Sequence, residues 1–177
     1  MTLTQSKKNK IFRKVLLAFI ILVFSVLQNM PGRFLQIGGA RALIIIPLVT
    51  AIAMFEREKA GMLFGLFAGA LWDIYARGNN FNMIYFLIVG FVCGMLIKTI
   101  MRNNFVTHFI LTGFTAAVYL LGYWLFHYVF AGLDGVLMPL ISNYIPSFIF
   151  TMIITVPVFF FVRFLETPSK TKQVSDS

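Results

Sequence analysis

Residues 42–75 read ALIIIPLVTAIAMF, EREK and AGMLFGLFAGALWDIY in turn, two apolar runs separated by four consecutive charged residues, Glu56, Arg57, Glu58 and Lys59. Charge inside hydrocarbon is expensive. The tetrad therefore predicts a turn at a membrane surface, and the runs predict two antiparallel spans, 42–55 and 60–75. The first run has 14 residues, about 21 Å at a rise of 1.5 Å per residue, and it contains Pro47. It is expected as a short, kinked or tilted helix, extended outward by residues 38–41 with Arg41 snorkelling to the surface. Five spans plus a re-entrant segment is the alternative reading.

Outward from this pair the same pattern repeats. The chain has 177 residues, 59% apolar and 12% charged, a composition that needs lipid as solvent. Since about 20 helical residues cross a hydrocarbon core of roughly 30 Å, this length holds six short spans and excludes a large soluble domain. The other four are 15–30, 81–97, 105–130 and 137–165. Pro31, Gly32, Gly38 and Gly39 mark the first turn, Arg77, Gly78, Asn79 and Asn80 the third, Lys98, Arg102, Asn103 and Asn104 the fourth, and Gly132, Asp134 and Gly135 the fifth. The last run carries Pro139, Pro146 and Pro157, so it is expected to bend, with its first turns in the outer interface. The first run follows basic residues as a signal peptide would. Gln28, Asn29, Met30 and Pro31 offer no small-residue cleavage site, and it is read as an uncleaved span.

The fold class that follows is all-α: a single six-helix transmembrane domain over 15–165, after a basic segment, 1–14, and before a polar tail, 166–177, expected to be disordered. Lys and Arg fix the direction. With the N-terminus inside, 12 of the 15 fall on the cytoplasmic side and Arg33, Arg41 and Arg77 fall outside, as the positive-inside tendency requires. Both termini are therefore placed in the cytoplasm. The formal charge of +9 is accounted for by this segregation rather than by a nucleic-acid partner, because the basic residues sit between and beside apolar runs. Cys93 is the one cysteine; it lies inside an apolar run, forms no internal disulfide, and is read as a buried small residue.

In the third span Gly61, Gly65, Gly69 and Asp73 recur every fourth residue, which lines them along one stripe of a helix. Glycines there admit a neighbouring backbone, so the stripe is a packing face, either within the chain or toward a partner. Gly90 and Gly94 in the fourth span offer the opposing surface. Asp73 at the outer end has two readings. One is a ligand, ion or partner contact; the other is a salt bridge to Arg77 one turn later or to Arg41 across the outer face. Tyr119, Tyr123, Trp124, His127 and Tyr128 resemble a polar and aromatic cavity wall, which an interfacial aromatic belt explains without a ligand. His127 is read as a hydrogen-bonded interfacial residue, since no second ligand stands at metal-binding spacing, and His108 at the cytoplasmic end reads the same way. Ser142, Asn143, Tyr144 and Ser147 around Pro146 either line a pocket at a broken helix or repair the backbone bonds that proline frees. The sequence contains no nucleophile elbow, zinc-binding helix, P-loop or paired carboxylates, and neither an enzyme nor a cofactor is expected.

Arg41 and Pro47 opening the second span, the charged turn 56–59, the Gly61, Gly65, Gly69 and Asp73 stripe, the turn glycine Gly78 and the Gly90 to Gly94 helix together resemble MreD, the bacterial rod shape-determining membrane protein. The resemblance covers about residues 11–165. The chain departs from the family pattern where a glycine commonly opens the fourth span, here occupied by Phe81 before Asn82. The resemblance implies a non-enzymatic inner-membrane subunit of the elongasome, the machinery of lateral peptidoglycan insertion. Its implied partners are the single-span protein MreC and, directly or through it, MreB filaments and RodA with its transpeptidase. MreD is similar in fold to the substrate-binding S components of energy-coupling-factor vitamin transporters. That similarity supplies a rival function, with a pocket opening outward between the third loop and the fifth span around Trp124. On the scaffold reading, the glycine face docks a partner's span, and the basic inner loops contact filament proteins or anionic lipid.

Overall fold

The computed structural model describes residues 2–29, 36–37, 40–75, 81–132 and 137–166. Helix α1 spans Thr2–Asn29, and a two-residue antiparallel ladder, β1 (Gln36–Ile37) with β2 (Ala40–Arg41), follows. Next come α2 (Ile45–Tyr75), α3 (Asn82–Thr99) and α4 (Phe105–Trp124). Helix α4 continues as a π-helical turn, Leu125–Val129; α5 (Leu137–Pro139) leads through a second π turn, Leu140–Tyr144, into α6 (Ile145–Glu166). Among the described residues, four stretches are long and apolar enough to cross a membrane: Ile11–Asn29, Asn82–Thr99, Phe105–Val129 and Leu137–Glu166.

The expected turn at 56–59 is one residue wide. Helix α2 breaks at Arg57 (φ 68°, ψ −176°) into arms 45–56 and 58–75. The arms fold back on each other, because Leu43 before the first and Trp72 near the end of the second line the same cavity. Glycine alone adopts this backbone region at low cost. Surrounding contacts hold arginine in it: Glu56 pairs with Arg13 of α1, Lys98 Nζ of α3 lies 2.8 Å from Glu58, and a Cβ on Gly94 would sit 2.6 Å from the Glu58 backbone nitrogen.

The first arm is the centre of the molecule. Residues 42–54 are all buried, as expected for a helix that is apolar on every side, and α1, α4 and α6 pack around α2. Pro47 lies in the first turn, where its missing N–H was unneeded, so the expected kink falls at Arg57 instead. Of the expected helical extension over 38–41, residues 40 and 41 form β2 and 38 and 39 lie outside the described residues; 42–44 are irregular. Non-helical backbone at this depth must find donors and acceptors in the protein. It does so: the backbone N–H groups of Arg41, Leu43 and Ile45 donate to Ser147 Oγ (3.0 Å), Thr151 Oγ1 (3.0 Å) and Gln28 Oε1 (3.1 Å).

The second arm and α3 form a close seam. A Cβ on Gly61 would lie 2.6 Å from the Gly90 carbonyl oxygen, one on Gly65 would strike the Phe86 carbonyl, and one on Gly69 would lie 2.5 Å from the Asn82 carbonyl oxygen. The stripe therefore packs within the chain, with Gly90 and Gly94 opposite.

Proline in the last run is absorbed without a sharp break. Ile145 N–H bonds to Leu140 O, five residues back, and the wider turn just precedes Pro146. Helix α6 extends through Glu166, which is buried and 3.3 Å from Arg13; Glu166 is thus part of the fold rather than of a disordered tail, and 167–177 lie outside the described residues. Arg33, Arg77, Gly78 and Asp134 also lie outside them.

Two consequences are measurable by thermal unfolding in detergent. Gly65→Ala should destabilise by about 2 kcal/mol through overpacking, and Gly69→Leu should yield little folded protein; a wild-type midpoint for either contradicts the seam. Arg57→Gly should raise the midpoint, with relief of about 1 kcal/mol; a lowered midpoint contradicts a strained hinge.

Candidate functional site

The helix ends gather into two dissimilar clusters. At one end, Arg13 reaches both Glu56 and Glu166, Lys98 meets Glu58, and Asn103 Nδ2 donates to Met54 O (3.3 Å). At the other end, rings, the Asp73 carboxylate and neutral polar groups meet around the start of α3. Trp72 stacks on Phe86 with centroids 5.4 Å apart, and Tyr119 lies 5.5 Å from Trp72 and 5.2 Å from Tyr85.

A hydrogen-bonded chain runs through this aromatic end. Asp73 Oδ1 accepts from Asn82 N–H (3.2 Å) and Asn82 Nδ2 (2.8 Å), and Oδ2 accepts from Met83 N–H (2.9 Å). Tyr119 Oη then donates to Asn82 Oδ1 (2.8 Å). The carboxylate thus caps the N-terminus of α3 from the preceding helix, using orphan N–H groups and the positive end of the helix dipole. This corrects the expected salt bridge to Arg41. Arg77 is outside the described residues. The polar residue doing most here is Asn82, which bonds to both Asp73 and Tyr119.

Two cavities flank Tyr119. The larger, about 380 Å3, is lined by residues of α3 and α4 that include Asn82, Tyr85, Tyr119, Gly122, Tyr123 and His127. The smaller, about 230 Å3, reaches Leu43, Trp72 and Tyr144. His127 stacks on Tyr123 with centroids 4.1 Å apart and 8° between planes, and its Nδ1 lies 3.3 Å from Tyr123 O. Trp124 lines neither cavity, so the pocket expected around it is built from Tyr119, Tyr123 and His127 instead. Arg41 is exposed and contributes its backbone N–H to Ser147. Ser142 Oγ donates to Met138 O (2.8 Å) one turn back.

His108 is wholly buried rather than interfacial. Its Nε2 lies 3.0 Å from Pro47 O and 3.2 Å from Thr50 Oγ1, and Thr50 Oγ1 lies 2.9 Å from Thr112 Oγ1. The carbonyl can only accept, so Nε2 carries the proton. The cluster ties the central arm to α4. Among the described residues no group of three or more His, Cys, Asp or Glu side chains is placed to hold a metal ion.

Comparison with family models, curated proteins and solved structures returns no match.

The Asp73 cap carries a direct test. Asp73→Ala removes three accepted bonds and should cost about 2 kcal/mol, whereas Asp73→Asn retains part of the cap and should cost about 1 kcal/mol. Thermal midpoints and amide exchange at Asn82 and Met83 read both; equal midpoints for Asp73→Ala and wild type exclude the cap.

Proposed function

We propose that this chain is an MreD-like, non-enzymatic scaffold of the bacterial inner membrane that crosses it six times with both termini in the cytoplasm. On this reading it holds an MreC-like single-span protein to the elongasome. MreB-like filaments and a RodA and transpeptidase pair are reached directly or through that partner.

The crossing number is supported by the ends of the helices. Arg13, the Glu56 to Glu58 hinge, Lys98 and Glu166 share the charged end. The chain therefore leaves that end and returns to it three times: through α1 and the first arm, the second arm and α3, and α4 and α6. The first arm, about 18 Å long at 1.5 Å per residue, completes its passage inside a protein wall rather than against lipid. The charged end, carrying the excess Lys and Arg, is assigned to the cytoplasm.

The observation that carries the scaffold reading is what the family-like residues do. The glycine stripe, Gly90, Gly94, Asp73 and the backbone of Arg41 all hold helices to one another, and none converges on a chemical centre. One element of the expectation changes: the glycine face is already occupied by α3, so a partner's span meets another, lipid-facing surface. The rival vitamin-binding reading would use the outer cavity. There the Asn82, Tyr85 and Tyr119 polar groups bond to protein, which disfavours a polar ligand.

Extraction in mild detergent from the native membrane, followed by identification of bound chains, decides between the two. Recovery of a single-span partner with an external coiled coil is expected, and depletion of the chain should round the cells. Recovery of two ATPases with a coupling subunit would replace the scaffold with transport.

A further inference from the structure

Gly122 differs from every glycine in the α2–α3 seam. A Cβ added there would meet nothing within 4 Å, so no neighbouring backbone requires its absence. Glycine inside a helix is about 1 kcal/mol less favourable than alanine, and here packing supplies no compensation. What Gly122 does is floor the larger cavity, about 380 Å3, between Phe81, Asn82 and Tyr85 on one side and Val118, Tyr123 and Phe126 on the other. A π turn, Leu125–Val129, follows immediately, a local widening often found at functional sites.

The lining defines what fits. Asn82 is engaged by Asp73 and Tyr119, Tyr85 Oη donates to Thr115 O, and Tyr119 Oη to Asn82. His127 is stacked on Tyr123. These polar groups have partners already, which leaves an apolar, aromatic volume within the range of small-ligand sites. Phe81 (76% exposed), Val118 (46%) and Phe126 (66%) form its outer edge. These apolar side chains belong to helices that face lipid on the six-span reading.

From these features we infer that the cavity is a specific site for one hydrocarbon chain of a membrane lipid, entering from the bilayer between α3 and α4, with its headgroup at the interface beside His127. The site is independent of the elongasome reading, since any six-span protein with this geometry would hold the chain.

Native mass spectrometry of the purified full chain, after delipidation and addition of phosphatidylglycerol, phosphatidylethanolamine and cardiolipin, tests the site. One tightly held lipid per chain is expected. Gly122→Phe fills the cavity from its floor and should lower lipid occupancy at least tenfold while leaving the thermal midpoint near wild type. Val118→Trp, which narrows the edge from one turn earlier, should act in the same direction and decides the question if Gly122→Phe misfolds. Unchanged lipid occupancy in a folded variant, no lipid above the nonspecific background in wild type, or retention of a polar small molecule instead would each overturn the assignment. Loss of lipid with partner recovery intact would separate this site from the scaffold function.

Discussion

Backbone-to-backbone contact between the second arm of α2 and α3 is the constraint on which the rest of the molecule depends. Lipid supplies no hydrophobic force to drive helices together, so association rests on close packing and on hydrogen bonds between helices. Gly61, Gly65 and Gly69 bring the arm against the Gly90, Phe86 and Asn82 carbonyls in succession. That spacing fixes a register along the whole seam. At one end the register delivers Asp73 to the N-terminus of α3; at the other it sets the Arg57 hinge against Gly94 and Glu58 beside Lys98. Both ends of the pair are thereby closed by charge, and the seam between them needs no side-chain bond.

The central arm meets a different demand. It is too short to span hydrocarbon alone, and the chain enters it through non-helical residues. Backbone groups at that depth have no water to bond. Ser147 and Thr151 on one face of α6, with Gln28 of α1, satisfy alternate N–H groups of the entry segment, while Thr50, Thr112 and His108 join the arm to α4. Polar side chains scattered through apolar runs are thus concentrated around one irregular stretch. Their role is to make a short, fully enclosed helix possible.

Much of this was legible in the sequence, for identifiable reasons. The apolar runs and the charges between them place the later helix ends within a few residues, because charge cannot remain in hydrocarbon; the start of α1 is missed, since the helix begins at Thr2, thirteen residues before the expected 15, and runs through the basic segment. The four-residue period of Gly61, Gly65 and Gly69 marks a seam, and Gly90 and Gly94 mark its partner. The target of Asp73 was not legible. Nearby arginines draw attention as counter-charges, whereas the N–H groups at a helix start carry no side-chain signature; the available signal was an Asn at the head of an apolar run, nine residues on. The hinge was equally hidden, since Arg57 gives no hint of a backbone that favours glycine, and only the contacts of Glu56 and Glu58 account for it. Gly122 reads in sequence like any other membrane glycine, and only the space around it separates its role from that of the stripe.

The two ends of the bundle differ in what separating them would require. At the charged end Arg13 joins α1, α2 and α6 through carboxylates that are almost wholly buried, and parting buried ions costs several kcal/mol. At the aromatic end the Asp73 carboxylate caps α3, and the remaining links are neutral hydrogen bonds and ring contacts of about 1 kcal/mol each, around two cavities and two π turns. Deformation is therefore cheapest at the aromatic end, where the walls already enclose unfilled space. A single apolar chain lodged between α3 and α4 would fill part of that space and stiffen the weaker end without touching the ion pairs. The charged end meanwhile keeps the hinge and the first and last helices in fixed relation, whatever occupies the opposite end.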